Sequence, residues 1–264
     1  MKILVCFKAV YDIEHITPLE LCRLRDGEMD LSLFQRKWAS YDEAALENGL
    51  RLWEAANQAG KKASLHGVSV GEQDTKFGHD LYALGFHKVT YLDINCDITY
   101  RPEIVAEALG QYVEMQNGYD VILMGKQAGM GENGMTPYLL AERLHMPCVT
   151  GVRSIRQTEQ GIKIVSQTDG NIVARTVKKP AIYGMGEAEH PYLRTATLRE
   201  KLNAKKKEID YIQLDGFEPA GYSPKYMGMI YDFQEKHCAM IPGKSVQEKA
   251  QNLWDSYLKE RVSR

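Results

Sequence analysis

Gly129, Gly131 and Gly134 stand in the order G-x-G-x-x-G within "GKQAGMGENGMTPYLLAERL", residues 125–144. Glycines at this spacing let a strand end turn sharply into a helix. Free backbone N–H groups and the helix dipole then face an anion, and the missing Cβ atoms let a phosphate come close. The stretch could hold a nicotinamide dinucleotide, hold the phosphate of another nucleotide, or serve as a ligand-free turn. A strand pattern before it ("YDVILMG") and a helix pattern after it ("TPYLLAERL") favour phosphate over the bare turn.

The nicotinamide reading meets three objections. The loop follows the fourth strand pattern of the chain, not the first. The carboxylate that would hold a ribose about 20 residues further on is missing, for positions 148–156 read "CVTGVRSIR". The loop after the first strand, "KAVYDIEHI", has no glycine. A Walker A site is excluded too, because Gln127 follows Gly125-Lys126 where Ser or Thr would meet a magnesium ion.

Other reactive side chains give less. No Ser/His/Asp or Cys/His arrangement is visible at motif level. Asp42 and Glu43 are adjacent in a first helical turn, so they diverge, and pairing with the helix dipole accounts for them. His66 falls inside a strand pattern, as a core histidine does. His145 and Cys148 are three apart, and two ligands do not make a zinc site. No catalytic side chain and no metal ligand is assigned.

The elements that must position the glycine loop read as follows. "KILVCFKAV" (2–10) is a nearly continuous apolar strand, the pattern of a parallel sheet. Residues 11–38 read as irregular. "YDEAALENGLRLWEAANQAG" is a helix with Asp42 and Glu43 in its first turn and Leu46, Leu50 and Trp53 on one face. Strands at 63–71 and 88–93 follow, with a helix reaching Leu84 between them. "PEIVAEALGQYVEMQ" is a helix opened by Pro102, "YDVILMG" a strand, and "TPYLLAERL" a helix with Pro just inside its start. Four strand–helix alternations before residue 145 predict a doubly wound, mostly parallel α/β sheet. Residues 151–178 read as an antiparallel excursion with turns at Gly161 and Asp169-Gly170. A strand at 180–186 and a helix in "TATLREKLNAKKKEI" come next. Residues 208–242 are weakly patterned. A last amphipathic helix puts Val246, Ala250, Leu253, Trp254, Tyr257 and Leu258 on one stripe. The expected organisation is a nucleotide-binding α/β domain over 1–207 and a C-terminal extension over 208–264.

Composition narrows the function classes. The chain has 264 residues, 44% apolar, with a net charge of −2. That suits one substantial α/β core and offers no basic surface for nucleic acid. No run approaches the ~18 apolar residues needed to span a bilayer. Five scattered cysteines suggest a reducing compartment. A cytoplasmic protein without membrane insertion is expected.

Several stretches in register resemble the beta subunit of electron transfer flavoproteins. They are "KILVCFK", "WASYDEAALENGLRL", "GVSVG", "ALGFHKVTYLD", "LMGKQA" with Thr136 and "LLAERLHMP", and "RTATLREKLNAKKK". Together they cover residues 1 to about 210. The resemblance implies an adenine-nucleotide-hydrolase-like fold and a heterodimer with a larger alpha subunit. It implies one FAD held mainly by alpha, and either AMP or a second FAD inside this subunit. Carried over, the nucleotide pocket would use Cys6, Ala39, Ser40, Tyr41, Asp42, Val70, and the loop Gly125, Lys126, Gln127, Ala128, Gly129, Met130, Gly131, Glu132, Asn133, Gly134, Met135 and Thr136. Leu198 would anchor a flavin-dependent dehydrogenase, with Lys205 and Lys206 beside it. Ala39-Ser40 stands where the family has Asn-Pro, and only Glu132 keeps a carboxylate where the family's loop is acidic. The implied role is electron carriage. A stand-alone adenine-nucleotide-binding enzyme or sensor of the same fold is the alternative.

Overall fold

A computed structural model describes residues 1–12, 16–26, 30–128, 133–168, 170–178, 180–217 and 238–262. The chain divides into two compact units, Met1–His15 with Asp30–Met227, and Ile16–Met29 with Gly228–Arg264.

The larger unit is built on strands β1 (Lys2–Cys6), β4 (Ser64–Val70), β5 (Lys88–Ile94), β6 (Val121–Gly125), β7 (Cys148–Thr158), β8 (Gly161–Thr168), β9 (Asn171–Val177), β10 (Ala181–Met185) and β11 (Asp210–Leu214). They form one sheet in the order β11-β5-β4-β1-β6-β10-β7-β8-β9. All neighbours from β11 to β7 are parallel, and β7, β8 and β9 pair antiparallel. The expected doubly wound sheet and its antiparallel excursion are both present. A short ladder joins β2 (Ala9–Tyr11) to β3 (Arg36–Trp38).

Successive side chains of a strand point to opposite faces, and both faces here are covered. Ile3 and Val5 of β1 join a core with Leu46 and Leu50 of α2 (Ser40–Gln58), Phe77 and Leu81 of α3 (Thr75–Ala83) and Ala204 of α6 (Leu198–Ala204). Leu4 and Cys6 join a second core with Ile104 and Leu109 of α4 (Pro102–Met115) and Leu140 of α5 (Thr136–Leu144). Coverage on both sides explains why β1, β6 and β10 read as unbroken apolar runs rather than alternating ones. Leu50 is completely buried, and its truncation to Ala would cost about 2–5 kcal/mol.

The winding creates the crevice that matters for function. From β1 the chain moves outward to β4 and β5, then returns to lay β6 on the other side of β1. The carboxyl ends of β1 and β6 thus flank a topological switch point, the usual ligand site of open α/β sheets.

Two sequence expectations need correction. The segment read as irregular holds β3 and the helix α1 (Pro18–Arg25), whose capping box pairs Thr17 with Glu20. The weakly patterned stretch after 208 holds β11, which lies beside β5. Propensity missed β11 because only Ile212 and Leu214 of its five residues turn inward.

The smaller unit contains α1 and a C-terminal helix. Ser245 caps α7 (Val246–Leu253), which runs through a π-helical turn (Trp254–Leu258) into α8 (Lys259–Val262). Val246, Leu253, Trp254, Tyr257 and Leu258 are all exposed on it.

Candidate functional site

A cavity of about 380 Å³ opens at the carboxyl ends of β1, β4 and β6. Of the residues expected to form a nucleotide pocket, Cys6, Asp42, Val70, Gly125, Lys126, Gln127, Ala128, Asn133, Gly134 and Thr136 line it. Tyr41 and Met135 adjoin lining residues in the chain, and neither they nor Ala39 and Ser40 line the cavity. Gly129, Met130, Gly131 and Glu132 lie outside the described residues. Gly134 takes φ +61°, a left-handed conformation that glycine adopts without steric cost.

The cavity wall is organised around Asp42. Its Oδ1 accepts the N–H of Gly125 at 2.7 Å, tying the first turn of α2 to the end of β6. Contact is so close that a Cβ on Gly125 would fall 2.6 Å from Asp42 Oδ1 and 2.9 Å from Tyr41 Cβ. Glycine is required there by approach rather than by φ. Burial pushes the Asp42 carboxyl up to about 7, although the Gly125 N–H, the charge of Lys8 and the Lys8 N–H pull it down. Burial, and then the Asp42 charge, push the Cys6 thiol far up, so it stays protonated as a small apolar wall. Lys126 lies over the Tyr41 ring, 4.8 Å from its centroid. Its N–H donates to Met185 O at 2.8 Å, which fixes the start of the glycine loop against β10.

Helix capping marks where an anion would be welcome. Each helix start leaves N–H groups without intrahelical partners. In α1, α3, α6 and α7 a side chain answers them, from Thr17, Asp74, Thr197 and Ser245. In α2, α4 and α5 the N-cap residues, Ala39, Arg101 and Met135, make no side-chain capping bond. These three helices each contribute first-turn residues to the cavity, namely Asp42, Pro102, and Thr136 with Pro137. A bound phosphate can supply the missing acceptor and also meet the positive end of the dipole.

Sequence reasoning missed one whole wall. Ile98, Thr99, Tyr100, Arg101 and Pro102, from the loop between β5 and α4, line the cavity. Arg101 is buried at 7% exposure. With Lys8 and Lys126 it makes the lining formally cationic, against one carboxylate, that of Asp42, among the described lining residues. The available signal was positional: this loop follows the strand from which the chain crosses back to the switch point.

The arrangement suits binding of an anion. Among the described residues, no group of three or more His, Cys, Asp or Glu is placed to hold a metal ion. His66 is occupied by Tyr119, with Nδ1 and the hydroxyl 3.0 Å apart. Far along the chain, Leu198 is 75% exposed at the start of α6, and Lys205 and Lys206 are exposed just beyond its end.

Comparison with known proteins bears on the whole of this geometry. A family model described as the electron transfer flavoprotein domain matches residues 35–212. The chain belongs to the electron transfer flavoprotein family. Within it, the chain is 30% identical to a protein of Escherichia coli strain K12 provisionally named electron transfer flavoprotein subunit YgcR, over 99% of both chains. It is 27% identical to the electron transfer flavoprotein subunit beta of Bradyrhizobium diazoefficiens, over 79% of this chain and 80% of the relative. It is 23% identical to the corresponding beta subunit of Bacillus subtilis strain 168, over 83% of this chain and 81% of the relative. The family match spans the first turn of α2, the glycine loop and α6. An electron-transfer-flavoprotein-like role, beta-like in kind, follows from membership. Among the described residues, no helix is long and apolar enough to cross a membrane.

Proposed function

We propose that the chain is the beta subunit of a heterodimeric electron transfer flavoprotein, and that it binds AMP in the switch-point cavity. The observation that carries this reading is the family match over 35–212, which includes the cavity lining from Asp42 to Pro137 and the exposed Leu198 segment. The uncapped starts of α2, α4 and α5, together with Lys8, Arg101 and Lys126, fit a nucleotide phosphate. Cys6, Val70 and Met124 supply apolar wall for a base. A cavity of about 380 Å³ is near the lower end of the roughly 300–1,000 Å³ typical of ligand pockets. That size supports a mononucleotide over a second FAD.

The redox chemistry belongs to an FAD held mainly by the alpha subunit, which would accept and release electrons when bound. This chain contributes binding and orientation. Asp42 and Gly125 hold the pocket walls together, and Leu198, Lys205 and Lys206 offer a surface to a flavin-dependent dehydrogenase. The amphipathic helix after Ser245, with Trp254 and Leu258 exposed, is assigned to contact with the alpha subunit. The five free cysteines accord with work in the reducing cytoplasm.

Co-expression with an alpha subunit, followed by mass spectrometry of every released nucleotide, tests the proposal. The expected result is a yellow heterodimer releasing one AMP and one FAD, and a colourless chain when expressed alone. ATP turnover by the isolated chain, with no alpha subunit recovered, would replace it with a stand-alone nucleotide enzyme.

A further inference from the structure

The segment that leads into the exposed Leu198 is gripped by helix α2. Asn48 Nδ2 donates to His190 O at 3.1 Å. Glu43 Oε1 accepts the N–H of Leu193 at 3.1 Å, and Glu47 Oε2 accepts the N–H of Arg194 at 3.2 Å. The Arg194 guanidinium then closes on Glu47 through Nε at 3.0 Å and Nη2 at 2.8 Å, and reaches Glu54 through Nη1 at 2.6 Å. Glu47 is 2% exposed and is also held by Arg51 at 2.7 Å. Burial pushes its carboxyl up, but the hydrogen bonds and charge of Arg194 outweigh that and keep it below the ordinary range.

These contacts are directional. A guanidinium fork on a buried carboxylate fixes orientation as well as distance. Three residues after Arg194, Thr197 begins α6 with a capping box to Glu200, and Leu198 follows. From His190 to Thr197 the chain has no regular secondary structure. Its course is therefore set by the grip of α2.

We infer that the Glu47–Arg194 pair is a positioning device for partner docking: it locks residues 190–194 on α2 and so fixes where Leu198 is presented. The inference rests on the docking role proposed above for Leu198. Neither residue touches the cavity or a reacting atom, and both act through Leu198.

The test uses the chain in complex with its alpha subunit. From a panel of substrate-reduced flavin-dependent dehydrogenases, the one that reduces the wild-type complex fastest is the probe. Two variants are compared. Leu198→Ala removes the presented side chain. The double variant Glu47→Leu with Arg194→Met removes the latch without stranding a buried charge, a replacement that often leaves stability intact. The double variant is expected to raise KM for the dehydrogenase about tenfold or more with kcat unchanged, the signature of lost binding alone. Bound nucleotide should stay at the wild-type level, and the amides of Leu193 and Arg194 should exchange with solvent faster. If Leu198→Ala raises KM and the double variant does not, the latch inference is overturned and the docking role stands. If neither raises KM, the docking role fails and the inference falls with it. Should the double variant not fold, Arg194→Lys carries the test, since it keeps the charge but cannot form the fork. A raised KM supports the latch, and an unchanged KM overturns it.

Discussion

Asp42 Oδ1 accepts the backbone N–H of Gly125 at 2.7 Å, across 83 residues of sequence. One carboxylate therefore joins the first turn of α2 to the end of β6, the two elements that close the switch-point cavity around the glycine loop.

The titration of Asp42 makes stability depend on pH. Its carboxyl rises from 3.8 to about 7 because it is buried. Between those values the folded chain holds a proton that the unfolded chain has released. The contribution is complete below the lower value and is lost as pH climbs through the upper one. Asp42→Asn keeps an acceptor for Gly125 and cannot ionise. Between about pH 5 and 8 the nucleotide-free wild type should lose unfolding free energy relative to this variant, by something on the order of 1–4 kcal/mol. Urea denaturation of both across that range decides it, and parallel curves would refute the role.

Gly125→Ala should be costly for a residue that is merely the end of a strand. The new Cβ would meet Asp42 Oδ1 at 2.6 Å and Asp42 N at 3.0 Å. Relief requires α2 and β6 to part, at about 1–3 kcal/mol. Chemical denaturation should show that loss, and the purified protein should carry less nucleotide.

Arg101→Met tests the wall that sequence reasoning overlooked. A charge-assisted bond from a buried guanidinium to a phosphate is worth about 1.5–3 kcal/mol, so AMP affinity measured by calorimetry should fall about tenfold or more. Unchanged affinity would remove Arg101 from the site.

AMP should also act as a cap for helices that lack one. Added at a hundred times its dissociation constant, it should stabilise the chain by about 2.7 kcal/mol through mass action alone. Thermal melts with AMP, and with adenosine as the phosphate-free control, measure this. Equal shifts from the two would show that the uncapped helix starts are not what the ligand meets.

Much of the frame was readable before any coordinates. β1, β4, β5, β6 and β10 are doubly buried and so announce themselves as apolar runs, and Pro102 and Pro137 mark helix starts. Of the three motif glycines, Gly134 takes a left-handed φ of +61°, while Gly129 and Gly131 lie outside the described residues. Less legible were elements held by partners distant in sequence. β2 and β3 are three residues each and exist through their mutual pairing. The helix at Pro18–Arg25 carried a readable signal, Thr17 with Glu20 three positions on, inside a segment otherwise poor in periodicity. Arg101 could not be singled out, because nothing about an arginine before a proline says that the next turn of chain faces a cavity. The grip on residues 190–194 was equally hidden, since it joins Glu47 to Arg194 across 147 residues.

The pairing of β11 with β5 has a consequence for synthesis. β5 is complete at Ile94, yet the strand that covers its outer edge begins only at Asp210. All of the other half of the sheet is made in between. Throughout that interval a nascent chain exposes an apolar, unpaired edge of the kind that recruits stray strands. Translation pauses or trigger-type chaperones acting between these two points should govern yield, and a message truncated before codon 210 should give a product that clumps.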